Sequence, residues 1–260
     1  MKFIGIDLGW SSGASGLCCL NWENNRLQFI ECDRQQSLND ILAWIDRQIS
    51  PTEPAIIAVD APTIITNPTG MREADKLTHK HFGRYHAGCY PANLSIPFAQ
   101  KTIEFGLCLE ARGFVHAPTI EAKKLGRYQI EVFPHPATIN LFQLDRILKY
   151  KKGKLAERQL ELMKLCQYII DILPSLEPSL NLSCNTGEMP LNGGTGILPV
   201  TEIPTSVATL KALEDQLDAL LCAYIGAHWW YWGIDRNLVL GDRATGYIVI
   251  PKQYRKTGSI

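Results

Sequence analysis

Two short apolar runs in this chain end in aspartate, and that recurrence limits the possible folds more than any other feature. Lys2–Asp7 reads KFIGID and Ala55–Asp60 reads AIIAVD. A continuous apolar run of this length, closed by an acid, reads as a strand buried on both faces, as in a helix-covered sheet. Ser15–Trp22 and Arg26–Cys32 lie between the two runs, separated by the turn signal Asn24-Asn25, so the first three strands form a meander. Ser37 is the N-cap of a helix, with Asp40 standing in for the usual acid or amide of a capping box. Leu38, Ile41, Leu42, Ile45 and Ile49 follow at helical spacing until Pro51 and Pro54 close the segment. This helix is the right-handed crossover that returns Ala55–Asp60 parallel to the first strand.

Further along, Met71–Phe82, Gln100–Arg112 and Lys154–Leu173 read as helices and Gly83–Pro97 as loop. Gln129–Phe133 reads as a strand halted by Pro134 and Pro136. Residues 174–205 are rich in Pro, Gly, Asn, Ser and Thr, and read as a flexible surface insertion. Their Asn192-Gly-Gly-Thr-Gly196 run could suggest a phosphate loop, but no strand precedes it and no lysine follows, so it reads as linker. Ser206 caps a last helix to about Ala227, with an apolar stripe of Val207, Leu210, Leu213, Leu217, Leu220, Leu221 and Tyr224. The aromatic stretch Trp229–Trp232 is the end of that helix against the core, and Tyr247–Ile250 is a tail strand at an edge. The expectation is a single α/β domain over residues 1–260. Its mixed five-stranded sheet, a three-stranded meander plus parallel strands, is flanked by helices. A chain of 260 residues buries such a core without staples.

Lys and Arg number 26 and Asp and Glu number 26, so no global field draws a polyanion, and any phosphate binding must come from local patches. The eight cysteines form no CxxC pair and no secretory leader opens the chain, which reads as a cytoplasmic protein with reduced thiols. No apolar run reaches the ~18 residues of a membrane span, so no membrane partner is expected.

In parallel sheets, ligands gather at the carboxyl ends of strands. Asp7 and Asp60 emerge together there, and two carboxylates that close need a shared proton or a cation. Either acid alone is more simply a turn cap. Asp215 and Asp218 add weight, being three apart in the first turns of the last helix. By helical wheel Asp218 borders the apolar stripe and Asp215 points further out. Both could be ordinary first-turn acids, but Asp218 among Leu217, Ala219, Leu220 and Leu221 is costly unless paired. Arg72, Lys76, His79, Lys80, His81, Arg84 and His86 form a basic stretch. Of these, Arg72, Lys76 and Arg84 are candidates to grip phosphate, against the alternative of a solvated helix face. The run Lys149–Lys154 offers Lys151 on the same terms.

GIDLGW, VDAP and the DQLDALLCAY of the last helix together resemble the ribonuclease-H-like superfamily. The D-x-x-D-A-L element is similar to RuvC-type junction resolvases. The fuller set resembles the DUF429 family of predicted nucleases. It comprises GIDLGW, AVDAP, Gly70-Met-Arg72-Glu-Ala-Asp75, Glu131-Val-Phe-Pro134, Tyr150-Lys151 and Asp218-Ala-Leu-Leu-Cys-Ala. The resemblance implies two-metal phosphodiester hydrolysis with Mg²⁺ or Mn²⁺. Asp7 would bridge the ions, Asp60 and Asp218 or Asp215 would complete the shell, and Glu131 would be an accessory acid. The partner would be a nucleic acid or a small phosphoester. Resolvases carry a basic DNA surface, whereas this chain is neutral overall. Two other readings stand beside it. Asp7-Leu-Gly9-Trp-Ser-Ser-Gly13 resembles the phosphate loop of actin-like ATPases and suggests a nucleotide-binding phosphotransferase. A non-catalytic binding module on the same fold is the third.

Overall fold

The computed structural model describes residues 1–9, 13–182 and 206–253. Its elements run β1 (Lys2–Asp7), β2 (Ser15–Glu23), β3 (Arg26–Gln35), α1 (Leu38–Gln48), β4 (Ala55–Val59), α2 (Glu73–Phe82), α3 (Ala99–Ala111) and β5 (Val115–His116). They continue through β6 (Arg127–Glu131), α4 (Pro134–Phe142), α5 (Leu155–Ile172), β7 (Leu180–Asn181), α6 (Val207–Trp232), β8 (Asn237–Asp242) and β9 (Gly246–Pro251). Seven strands form one mixed sheet in the order β5-β6-β4-β1-β2-β3-β7. β1, β2 and β3 are the antiparallel meander, while β1, β4 and β6 run parallel.

The period of two along each strand divides the core into two layers. Phe3, Ile56 and Ala58 face α4, α5 and α6, whereas Ile4, Ile6, Ile57 and Val59 face α1 and α3. Ser37 caps α1 as expected, its side chain accepting from the Asp40 amide. The Asp40 carboxylate takes the Ser37 hydroxyl at 2.6 Å.

The sheet has two strands beyond the expected five. β5 and β7 are two residues long and form the sheet's edges, too short to show any period in the sequence. β7 also corrects the reading of 174–205 as flexible throughout. Leu180 is fully buried and pairs with Leu27 of β3, so hydrophobic burial orders the chain here despite its composition. The rest of that expected insertion, 183–205, lies outside the described residues, as do Cys184 and the Asn192–Gly196 run. Pro134 and Pro136 do stop β6, but they also open α4, where proline suits the first helical turn. The tail strand does not join the sheet edge. It pairs with β8 as a hairpin and touches the chain beyond β6 through a Val132–Val249 bridge. α6 runs five residues past Ala227 because Trp229 and Trp230 are buried, which outweighs their middling helix propensity.

α6 packs across β1, β2 and β4, and two glycines set how closely. A Cβ on Gly5 would overlap the Ala219 carbonyl oxygen and the Ala223 amide nitrogen. One on Gly16 would overlap the Asp215 carbonyl. Gly5→Ala is therefore expected to lift α6 off the sheet and cost about 1–3 kcal/mol or more. Equilibrium urea unfolding measures this, and a variant as stable as the parent would refute the close-approach argument. Among the described residues the cysteines are all free, and no helix is long and apolar enough to cross a membrane.

Candidate functional site

The Asp60 amide donates to the Ile6 carbonyl at 2.8 Å, carrying the β1–β4 ladder one step past Val59. This register sets Asp7 and Asp60 side by side at the open ends of adjacent parallel strands. Both are half-buried, and both line a cleft of about 690 Å³. Among the described residues neither carboxylate makes a side-chain hydrogen bond or ion pair. Burial raises the Asp7 carboxyl to about 7, opposed by the Lys151 ammonium and reinforced by Asp218 and Asp215. Asp60 is raised for the same leading reason, with Asp7, Asp218 and Glu131 adding to it against Lys151.

Asp218 lies beneath this pair with no exposed surface. Its Oδ1 accepts from the Tyr150 hydroxyl at 2.7 Å, and the Lys151 Nζ lies 2.8 Å from its Oδ2. The second contact is an ion pair without hydrogen-bond alignment. Tyr150 Oη is also 3.5 Å from His135 Nδ1, and the His135 ring stacks on Phe133 at 5.8 Å. Burial and then Lys151 lower the His135 pKa to about 4, so a neutral imidazole faces the cleft. Asp215 is buried too, against the helical-wheel expectation that it points outward. Gly16 brings β2 close enough to cover it. Arg34 donates to its Oδ2 from Nη2 at 2.8 Å, and Lys211 approaches its Oδ1 at 2.7 Å. The neighbouring Glu214 is paired with Arg158 at 3.2 Å.

The other expected residues lie elsewhere. Glu131 does not face the cleft, because Arg72 takes both its oxygens, at 2.8 Å and 2.7 Å. Arg72 is itself 3% exposed, and it donates to Asp75 at 2.7 Å and to the Ile64 carbonyl at 2.9 Å. Its expected role of gripping phosphate is thus corrected: a guanidinium with two buried carboxylates has no donor left to offer solvent. Asp75 also accepts from the Ala92 amide at 3.0 Å, so the cluster clasps the loops on either side of α2 to the end of β6. Lys76 pairs with Glu73 at 3.6 Å on the exposed side of α2. Arg84 is exposed and lies over the Tyr85 ring at 4.5 Å. Neither lines the cleft.

Lys149, Lys151, Lys152 and Lys211 rim the cleft, while Tyr90, Phe133, Ile147 and Leu148 form an apolar wall. Lys152 donates to the Tyr90 hydroxyl at 2.8 Å. Sequence reasoning missed His135, Tyr150, Lys211 and Tyr90 as site residues. Pro134-His-Pro136 carried a signal, since prolines that open a helix place the residue between them at the end of a strand. The Tyr150-Lys151 pair carried another, unassigned beyond its lysine.

The family model of proteins of unknown function designated DUF429 matches residues 5–242. The chain belongs to the DUF429 family. A search of curated proteins found no match. The matched span contains every residue of the cleft and the clasp, and the motifs that carried the resemblance divide between them. Asp7, Asp60, Tyr150, Lys151 and Asp218 meet around the cleft, and Arg72, Asp75 and Glu131 meet behind it.

A divalent cation would find suitable donors in part of this arrangement. Asp7 and Asp60 fit, being two hard, unpartnered carboxylates facing an open cleft. Asp218 does not join them, because Tyr150 and Lys151 already hold its oxygens. Among the described residues no three His, Cys, Asp or Glu side chains are grouped to hold a metal ion. Two carboxylates suffice for Mg²⁺, which keeps several waters and takes further oxygens from a substrate phosphate.

Proposed function

We infer that this DUF429 protein is a metal-dependent phosphoester hydrolase on a ribonuclease-H-like core. The order β3-β2-β1-β4-β6, an antiparallel meander continued by parallel strands, supports the fold assignment. The observation that carries the function is the Asp7–Asp60 pair: adjacent, half-buried, and without a partner among the described residues. Together they would hold Mg²⁺ or Mn²⁺, which when bound supplies an activated water and charge neutralisation. Lys151 and Lys211 offer point charges to the phosphate oxygens. Neutral His135 would accept a proton at the cleft wall. The volume matches a single small ligand rather than a duplex. With four lysines facing three aspartates across the cleft, the attraction to phosphate is local, in keeping with a neutral chain.

The test is hydrolysis of bis-p-nitrophenyl phosphate and of mononucleotides, with Mg²⁺, Mn²⁺ or EDTA. Turnover is expected with either ion and none with EDTA. Equal rates in EDTA, or no turnover of any phosphoester with either ion, would refute the proposal.

A further inference from the structure

The resemblance to two-metal nucleases implies two cations, but Asp218, an acid that would help hold them, is already paired with the Lys151 ammonium at 2.8 Å. We propose that Lys151 replaces the second metal ion, so that the cleft takes one divalent ion, on Asp7 and Asp60. The proposal rests on the metal-dependent reading above and narrows it.

The Lys151 ammonium is held in position by several contacts. Tyr150 is 2% exposed, its hydroxyl bonded to Asp218 and its carbonyl accepting from Arg158 Nε at 2.9 Å. The backbone one residue before Lys151 is therefore fixed at both ends of the Tyr150 side chain and peptide. From there Nζ reaches Asp218 Oδ2 at 2.8 Å, while the side chain remains 31% exposed and lines the cleft. Asp218 is the acid that would complete a two-metal shell, and its oxygens carry one hydrogen bond and one positive charge. A second dication on Asp218 would have to displace the ammonium and leave it stranded among like charges, with Lys211 nearby on the same rim. Lysine is a compact charge with three rotatable donors, so Nζ can keep Asp218 and still donate toward a phosphate oxygen in the cleft. Lys151 would then be a binding residue for the substrate phosphate, positioned by Tyr150 and Asp218.

The experiment counts Mn²⁺ bound to the full chain without substrate, by electron paramagnetic resonance of free Mn²⁺. One ion per chain is expected for wild type and for Lys151→Arg, and two for Lys151→Met, whose loss of charge frees Asp218. Two ions on wild type would overturn the proposal and leave the metal-dependent reading standing, as would one ion on all three proteins. No binding by wild type would remove both. Should Lys151→Met fail to fold, Asp218→Asn is read instead. One ion per chain then supports the assignment, because Asp218 is not a ligand in it, and no ion overturns it.

Discussion

Asp7→Asn is expected to lower kcat/KM for phosphoester hydrolysis by roughly 10²–10³-fold or more, the scale on which one preorganised charge is felt at a reacting centre. The same substitution should make the metal-free protein more stable at alkaline pH. The two effects share a cause. The Asp7 carboxylate is desolvated and, with Lys151 opposing, feels the negative charges of Asp218 and Asp215, which suits it to a cation and makes it costly without one. The folded chain holds the Asp7 proton up to about pH 7, whereas an unfolded chain releases it near pH 4. Between those values the folded state binds more protons than the unfolded state, so stability falls as pH rises, and the penalty is complete above the folded pKa. Asparagine keeps the shape and removes the charge. In EDTA the melting temperature of Asp7→Asn should therefore exceed that of wild type at pH 8, with the gap closing as pH falls toward 4. For a chain of this size each kcal/mol corresponds to about 2–4 °C. A variant that melts below wild type at pH 8, or an activity loss under tenfold, would contradict the description of Asp7 as an electrostatically strained ligand.

The largest loss of stability is expected from Arg72→Met. Removing one partner of a buried ion cluster costs about 3–5 kcal/mol, because the charges left behind have no compensation. Here two carboxylates lose the same guanidinium. Asp75 and Glu131 are 1% and 5% exposed, and Arg72 bonds both. Burial already raises the Glu131 pKa to about 7 with Arg72 in place. Without Arg72, Glu131 and Asp75 would face each other uncompensated. The clasp holds the loop after Asp60 through the Ile64 carbonyl, and the loop carrying Tyr90 through the Ala92 amide that donates to Asp75. Its loss should thus also loosen the cleft wall. Urea unfolding of Arg72→Met measures the first effect. The triple variant Arg72→Met, Asp75→Leu, Glu131→Leu separates charge from packing, since it should recover part of the lost stability. A loss below about 1 kcal/mol for Arg72→Met would fit an exposed ion pair, and would refute the buried clasp.

Strand and helix identities were legible where one physical rule acted within one segment. KFIGID and AIIAVD show burial on both faces, Ser37 shows a cap, and the stripe of α6 shows its packed side. The meeting of Asp7 and Asp60 was legible for the same reason, because two strand ends and one crossover determine it. The two-residue strands β5 and β7 were not, since nothing so short has a period, and composition hid the buried Leu180 inside a polar stretch. The outward placement of Asp215 failed because a helical wheel sees one helix, while Gly16 on β2 decides what covers it.

By itself the sequence determined the layered α/β architecture, the two strand-end acids and the family, all of which depend on local pattern and on motif spelling. Only the tertiary structure decided which cation answers each acid. Arg72 went to Glu131, 59 residues away, and Arg34 to Asp215, 181 residues away, while Lys151 reached across to Asp218. Coulombic pairing depends on distance in space and on the water excluded between the groups. Neither quantity is written in the order of residues along a chain.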